Sequence, residues 1–204
     1  MAEYIISSGE SRNNGTLRGN DKVTVLDGGI ITNTTVSSGG NLIVSSGGTA
    51  NNIKVEKNGS FLVSYGGIAN STTVNSSGYL TVGGMANSTT VNYSAHFTVA
   101  GGTANNTTVN SMGEIVVSSG GTANNTTVNS GWIRVSNGGV AVENTLNSYS
   151  WLIVASGGVA NSTTAVNSRC CVYIREGGIA GNTLVESAGS MCVSSGGTAQ
   201  GVTV

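Results

Sequence analysis

Paired glycines return along this chain at a nearly constant interval. Counting from Gly28, they fall at Gly47, Gly66, Gly83, Gly101, Gly120, Gly138, Gly157, Gly177 and Gly196, in steps of 19, 19, 17, 18, 19, 18, 19, 20 and 19 residues. A degenerate copy, ISSGESRNNGTL from Ile6 to Leu17, precedes them with Glu10 in place of the second glycine. Self-similarity at one period over the whole length means that no unit buries its apolar face alone; each must stack on its neighbours. The expectation is a single repeat domain over residues 1–204.

Each unit holds two short β-favouring runs. Leu42-Ile43-Val44, Ile115-Val116-Val117 and Leu152-Ile153-Val154 represent the first, and Thr34-Thr35-Val36, Thr107-Thr108-Val109 and Thr126-Thr127-Val128 the second. Bounded by Ser-Gly-Gly or Asn-Ser-Gly punctuation, such runs are too short for helices, and no segment shows apolar residues at helical spacing. At about 3.3 Å per residue one unit has a contour of roughly 63 Å, which suits one turn of a coil with two or three faces; a propeller blade needs about twice that length. The predicted fold is all-β: a parallel β-helix, or β-solenoid, of about ten coils stacked about 4.8 Å apart.

Stacking turns the repeat into columns. Val44, Val63, Val82, Val99, Val117, Val135 and Val154 should line one inner face, and Val36, Val55, Val74, Val91, Val109 and Val128 another, with Ala50, Ala69, Ala104 and Ala123 in a tight corner. The residue two before the second-face Val is usually Thr but is Ile53 and Val202 in two units, so it should point inward, its hydroxyl satisfied by the Thr of the next turn or by backbone. The Gly-Gly pair should turn the chain where a Cβ would clash or φ must be positive. Asn51, Asn70, Asn87, Asn105 and Asn124 tolerate similar turn geometry and can stack their amides from coil to coil.

Composition narrows the function. Only 8% of residues are charged, but 38% are apolar and regularly placed, which argues for an ordered fold rather than a linker. A net charge of -1 with scattered Lys and Arg leaves no footprint for nucleic acid or an anionic membrane. Cys170, Cys171 and Cys192 show no metal-knuckle or disulfide spacing and read as free thiols.

Units of the form VSSGGTANNTTVNSGG resemble the passenger repeats of the AIDA-type self-associating autotransporter adhesins of Gram-negative bacteria, and the likeness spans nearly every unit. The resemblance implies a surface-exposed passenger that binds host-cell glycan or protein and its own kind, O-glycosylated on repeat serines by an O-heptosyltransferase. The SSGG serines Ser45, Ser46, Ser118, Ser119, Ser194 and Ser195 are the candidates. The chain shows no signal peptide, autochaperone segment or membrane barrel and ends in GVTV, so the expectation is a fragment of a longer passenger that does not itself enter the membrane.

Little in the sequence points to an enzyme, and no cofactor is expected. Acids recur at roughly one per turn without pairing. His96 and Glu114 occupy equivalent positions on successive coils and should form a surface ion pair, with no nucleophile in their column. Calcium-binding coils need a recurring Asp that these turns lack, and the outward Thr35, Thr73, Thr90, Thr108 and Thr127 lack the second outward threonine of an ice-binding array. One column stands out: Tyr79, His96, Glu114, Trp132 and Trp151 precede successive first-face strands and should form an exposed aromatic stripe beside Ile43, Leu62, Val116, Ile153 and Tyr173. Either a neighbouring loop or partner covers it, or it is a glycan-binding or self-association surface. Two functions follow as expectations: an adhesin repeat, or a glycosyltransferase acceptor and spacer stalk with no adhesion of its own.

Overall fold

The computed structural model describes residues 2–166, 169–186 and 188–204. Two parallel sheets run the length of the chain, one of 11 strands and one of 12, each strand pairing with its equivalent one coil before and one coil after. The first sheet collects short strands such as Asn41–Val44, Ser60–Val63 and Tyr79–Val82. The second collects longer ones such as Thr49–Val55, Ile68–Val74 and Met85–Val91. The first coil's share of the second sheet is split into Ser11–Asn13 and Thr16–Leu17, which accounts for the extra strand and makes eleven coils, the degenerate N-terminal copy included.

Register follows the sequence repeat. Val82 pairs with Val99, Val99 with Val117, and Val117 with Val135; Val74, Val91, Val109 and Val128 pair in the same way. Both valine columns and the alanines Ala50, Ala69, Ala86, Ala104 and Ala123 are fully buried in one continuous core. Larger side chains, Phe61, Leu80, Phe97, Ile115 and Ile133, form a further column in the first sheet.

The longer strand turns a corner at its fourth residue. Ala104 and Thr107 both point inward, yet Asn105 and Asn106 between them both face outward, which strict alternation forbids. The ladder skips this residue, pairing Asn87 with Asn105 and Thr89 with Thr107. The residue is left-handed in successive coils: Asn52, Ser71, Ser88, Asn106 and Asn125 have φ between 52° and 57°. Each coil therefore has three straight runs. The turn conformation expected of Asn51, Asn70, Asn87, Asn105 and Asn124 belongs instead to the residue after each of them. Those five Asn are paired strand residues, and they do stack: Asn70, Asn87, Asn105 and Asn124 each donate from Nδ2 to Oδ1 of the Asn one coil earlier, at 2.9, 3.0, 3.0 and 3.0 Å.

The inward Thr meet the expectation only in part: Thr34 finds a backbone partner, and most of the others find none. Thr34 donates to its own backbone neighbour, the Thr32 carbonyl, at 3.1 Å, and Thr163 accepts from Asn144 at 3.3 Å. The hydroxyls of Thr72, Thr89, Thr107 and Thr126 are buried with no partner. The cause is the coil spacing: single oxygen atoms stacked about 4.8 Å apart are out of hydrogen-bond range, whereas a carboxamide carries donor and acceptor on different atoms and spans the step.

The two glycines of each pair do different work. Gly47, Gly66 and Gly120 have φ of 75°, 74° and 78°, and their turns close by hydrogen bonds such as Gly48 N–H to Ser45 carbonyl at 3.0 Å. The second glycine faces the coil before it. A Cβ on Gly48 would sit 2.7 Å from the Val25 carbonyl oxygen, and one on Gly121 would overlap the Val99 carbonyl.

Candidate functional site

The outward face of the first sheet carries the most varied side chains. Parallel register places Tyr79, His96, Glu114, Trp132 and Trp151 beside one another on five successive coils, with Cys171 next. The rings of Tyr79 and His96 stack, with centroids 5.4 Å apart and planes at 11°. Trp132 and Trp151 meet edge to face at 6.4 Å, and Trp151 leans on Tyr173 at 6.0 Å. Tyr79 and Trp151 are 48% and 41% exposed, so the stripe is open to a partner. Tyr173 stands one column over; its hydroxyl is held above the usual phenol range, first by a hydrogen bond with Cys171 and then by the neighbouring thiols.

Ile153 departs from the expected pattern. It points outward yet is only 8% exposed, because it lies between Arg134 and Tyr173 in its own column and beside the ring of Trp151. Ile43 and Val116 are half-buried, and Leu62 is exposed.

Glu114 brings together side chains from three coils. Arg134 Nε contacts its Oε1, and His96 Nδ1 lies 3.5 Å from its Oε2. The expected His96–Glu114 neighbourhood is present; Arg134, two residues past Trp132 and therefore on the same outward face, joins it. Beside this cluster lies a groove of about 280 Å³ lined by Ser94, His96, Met112, Glu114, Trp132 and Arg134. Ser94 and Met112 enter from the turns preceding their strands, so reading strand columns alone misses them. Among the described residues, no cluster of three or more His, Cys, Asp or Glu is placed to hold a metal ion.

The recurring Gly-Gly turns form a second surface, a ridge along the rod, on which three turns, at Ser45-Ser46, Ser118-Ser119 and Ser194-Ser195, read SSGG. Ser46, Ser119 and Ser195 are exposed at the turn apices. Ser45 and Ser118, one residue earlier, are half-buried, and Ser194 is exposed. The missing Cβ of Gly66 leaves room for the Ser46 hydroxyl below it, since a methyl there would lie 2.5 Å from Oγ. Four coils have no serine before the glycines, at Leu26-Asp27-Gly28-Gly29, Val82-Gly83-Gly84-Met85, Val99-Ala100-Gly101-Gly102 and Arg175-Glu176-Gly177-Gly178, and in two others the apex is Tyr65 or Asn137. The three thiols are unbridged, with Cys170 buried and Cys192 exposed.

These surfaces sit on a fold that other proteins share. Residues 46–95 match the family described as "Adhesin of bacterial autotransporter system, probable stalk". The crystal structure of the TibC-catalyzed hyper-glycosylated TibA55-350 fragment is similar over 99% of this chain and 85% of that one, with a TM-score of 0.73 and 30% sequence identity. The chain belongs to the AIDA-type autotransporter adhesins. As a passenger of that family it carries the family's coil throughout, although residues 46–95 alone meet the family pattern. Comparison with curated protein sequences returns no match.

Proposed function

We propose that this adhesin passenger works as a surface-exposed adhesive rod. Its repeated coils mediate attachment to a host-cell glycan or protein and self-association between copies, and its turn-ridge serines accept O-linked sugar from a heptosyltransferase. The observation that carries the reading is the set of exposed turn-apex serines, Ser46, Ser119 and Ser195, on a chain that shares 30% identity with a hyper-glycosylated fragment over 99% of its length. Adhesion by such a rod needs no deep pocket. Identical weak contacts recurring every coil give avidity, because each contact after the first is made at high effective concentration. The aromatic stripe from Tyr79 to Trp151, with Tyr173 beside it, supplies apolar contact area that the polar repeats lack.

Co-expression with a heptosyltransferase followed by peptide mass spectrometry tests the acceptor role. Heptose increments on Ser46, Ser119 and Ser195, with fewer on half-buried Ser45 and Ser118, are the expected result. Unmodified peptides throughout would remove it. The description of the matching family as a stalk favours a second reading, in which the rod is an acceptor and spacer and the sugar does the adhering. Adhesion by unglycosylated protein equal to that of the glycosylated form would reject this second reading.

A further inference from the structure

We propose that the groove bounded by Ser94, His96, Met112, Glu114, Trp132 and Arg134 is a saccharide subsite that takes one neutral pyranose ring bearing adjacent hydroxyl groups. The inference rests on the reading of the stripe as a recognition surface and gives that surface a ligand class. At about 280 Å³ the groove suits a single sugar ring rather than an extended ligand. Its polar groups are those a diol needs. Glu114 is an acceptor whose two oxygens carry about four lone-pair sites, and Arg134 engages only Oε1 while His96 stands 3.5 Å from Oε2, so sites remain for a ligand hydroxyl. Arg134, with its side chain 56% exposed, keeps the N–H donors of its guanidinium tip, and Ser94 adds a hydroxyl. Trp132 supplies the aromatic wall against which the C–H face of a pyranose packs, and Met112 extends the apolar lining.

The site is built before any ligand arrives. Glu114 is held from both sides, His96 is fixed by its stack on Tyr79, and Trp132 is braced edge-on by Trp151. Four of the six lining residues, His96, Glu114, Trp132 and Arg134, stand on three adjacent rungs of one sheet, which gives firmer positioning than loops would. Electrostatics choose among sugars. With Glu114 already neutralised by Arg134, an anionic sugar would have to compete with Glu114 for the guanidinium while facing its negative charge. A neutral sugar hydrogen-bonds to the pair as it stands.

The test uses the purified chain with methyl α-mannoside, methyl α-glucoside, methyl β-galactoside and, as the anionic comparison, N-acetylneuraminic acid. Saturation-transfer NMR and tryptophan fluorescence should show saturable binding of at least one neutral glycoside and at least tenfold weaker binding of the anionic sugar. Trp132→Ala and Glu114→Gln should each weaken binding at least tenfold, while Tyr65→Ala, remote and 84% exposed, leaves it unchanged. Circular dichroism confirms that the variants keep their β-structure; Glu114→Gln keeps the size of the side chain and removes its charge, so it serves if Trp132→Ala misfolds. No saturable binding of any neutral sugar, or binding unmoved by both substitutions, would overturn the proposal. On cells, dispersal of aggregates by the bound glycoside would place the sugar on a second copy, and loss of host-cell attachment alone would place it on the host. Because binding is read on isolated protein, its failure is distinguishable from failure of the rod to adhere.

Discussion

The side-chain amide of Asn124 donates to Asn105, one coil earlier, at 3.0 Å. The same step recurs from Asn70 to Asn124 and in a parallel column through Asn92, Asn110, Asn129 and Asn147, so adjacent coils are tied outside the core as well as within it. Asn105→Ala should therefore destabilise the rod by about 1–2 kcal/mol, because it strands the Asn124 donor and the Asn87 acceptor together. Asn105→Asp should fall between, since a carboxylate still accepts from Asn124 but donates nothing to Asn87. Chemical denaturation of the three proteins checks the order.

The inward threonine column predicts the opposite sign. Thr107 buries a hydroxyl that has no partner, and the equivalent Ile53 shows that the position accepts an aliphatic side chain. Thr107→Val should raise stability by about 1 kcal/mol by removing that desolvated group. A lowered denaturation midpoint would mean that the hydroxyl is satisfied.

Adjacent glycines should respond unequally to the same methyl group. Gly120, at φ 78° and with nothing within 4 Å of where a Cβ would stand, should lose about 1–2 kcal/mol on change to Ala, the cost of a left-handed L-residue. Gly121→Ala drives its Cβ onto the Val99 carbonyl and should cost about 3 kcal/mol or more. Thermal melts of the two variants compare them directly.

How much of this is legible in the sequence differs by level. The glycine period and the paired β-runs specify a parallel coil because only stacking puts every Val on Val. The sequence reading misplaces the corner by one residue because Asn51 and Asn52 are the same residue type; Ser71, Ser88 and Glu143, left-handed at the later position, show where the bend falls. The expected Thr-to-Thr bonds fail on a distance, since residue type alone does not reveal that a hydroxyl is too short for the coil step, whereas the backbone alternative is met at Thr34. The groove at Glu114 is half visible: its column members alternate correctly, but Ser94 and Met112 reach it from turns.

Acid should loosen the first coils before the rest. Glu10 accepts from the Ser7 amide and hydroxyl at 2.7 and 2.9 Å, and Asp21 from the Arg18 and Ala2 amides at 3.3 and 3.2 Å. These hydrogen bonds, the Ser7 and Arg18 amides first, hold both carboxyls below their usual range. A depressed folded-state value means stabilisation that is complete above the unfolded value, about 4, and lost as pH falls through the folded one. Hydrogen exchange at Ser7 and Arg18, corrected for intrinsic rates, should quicken below about pH 4 relative to the Ser118–Gly121 turn, and Glu10→Gln should flatten the response at Ser7.

The central claim, that this rod adheres through surfaces repeated along its coils, meets its most direct test in settling of bacteria that display the glycosylated chain. Such cells should clump and settle faster than cells displaying an unrelated rod of equal length, and removing coils should reduce clumping progressively. Cells that stay dispersed, at every coil number, would contradict it.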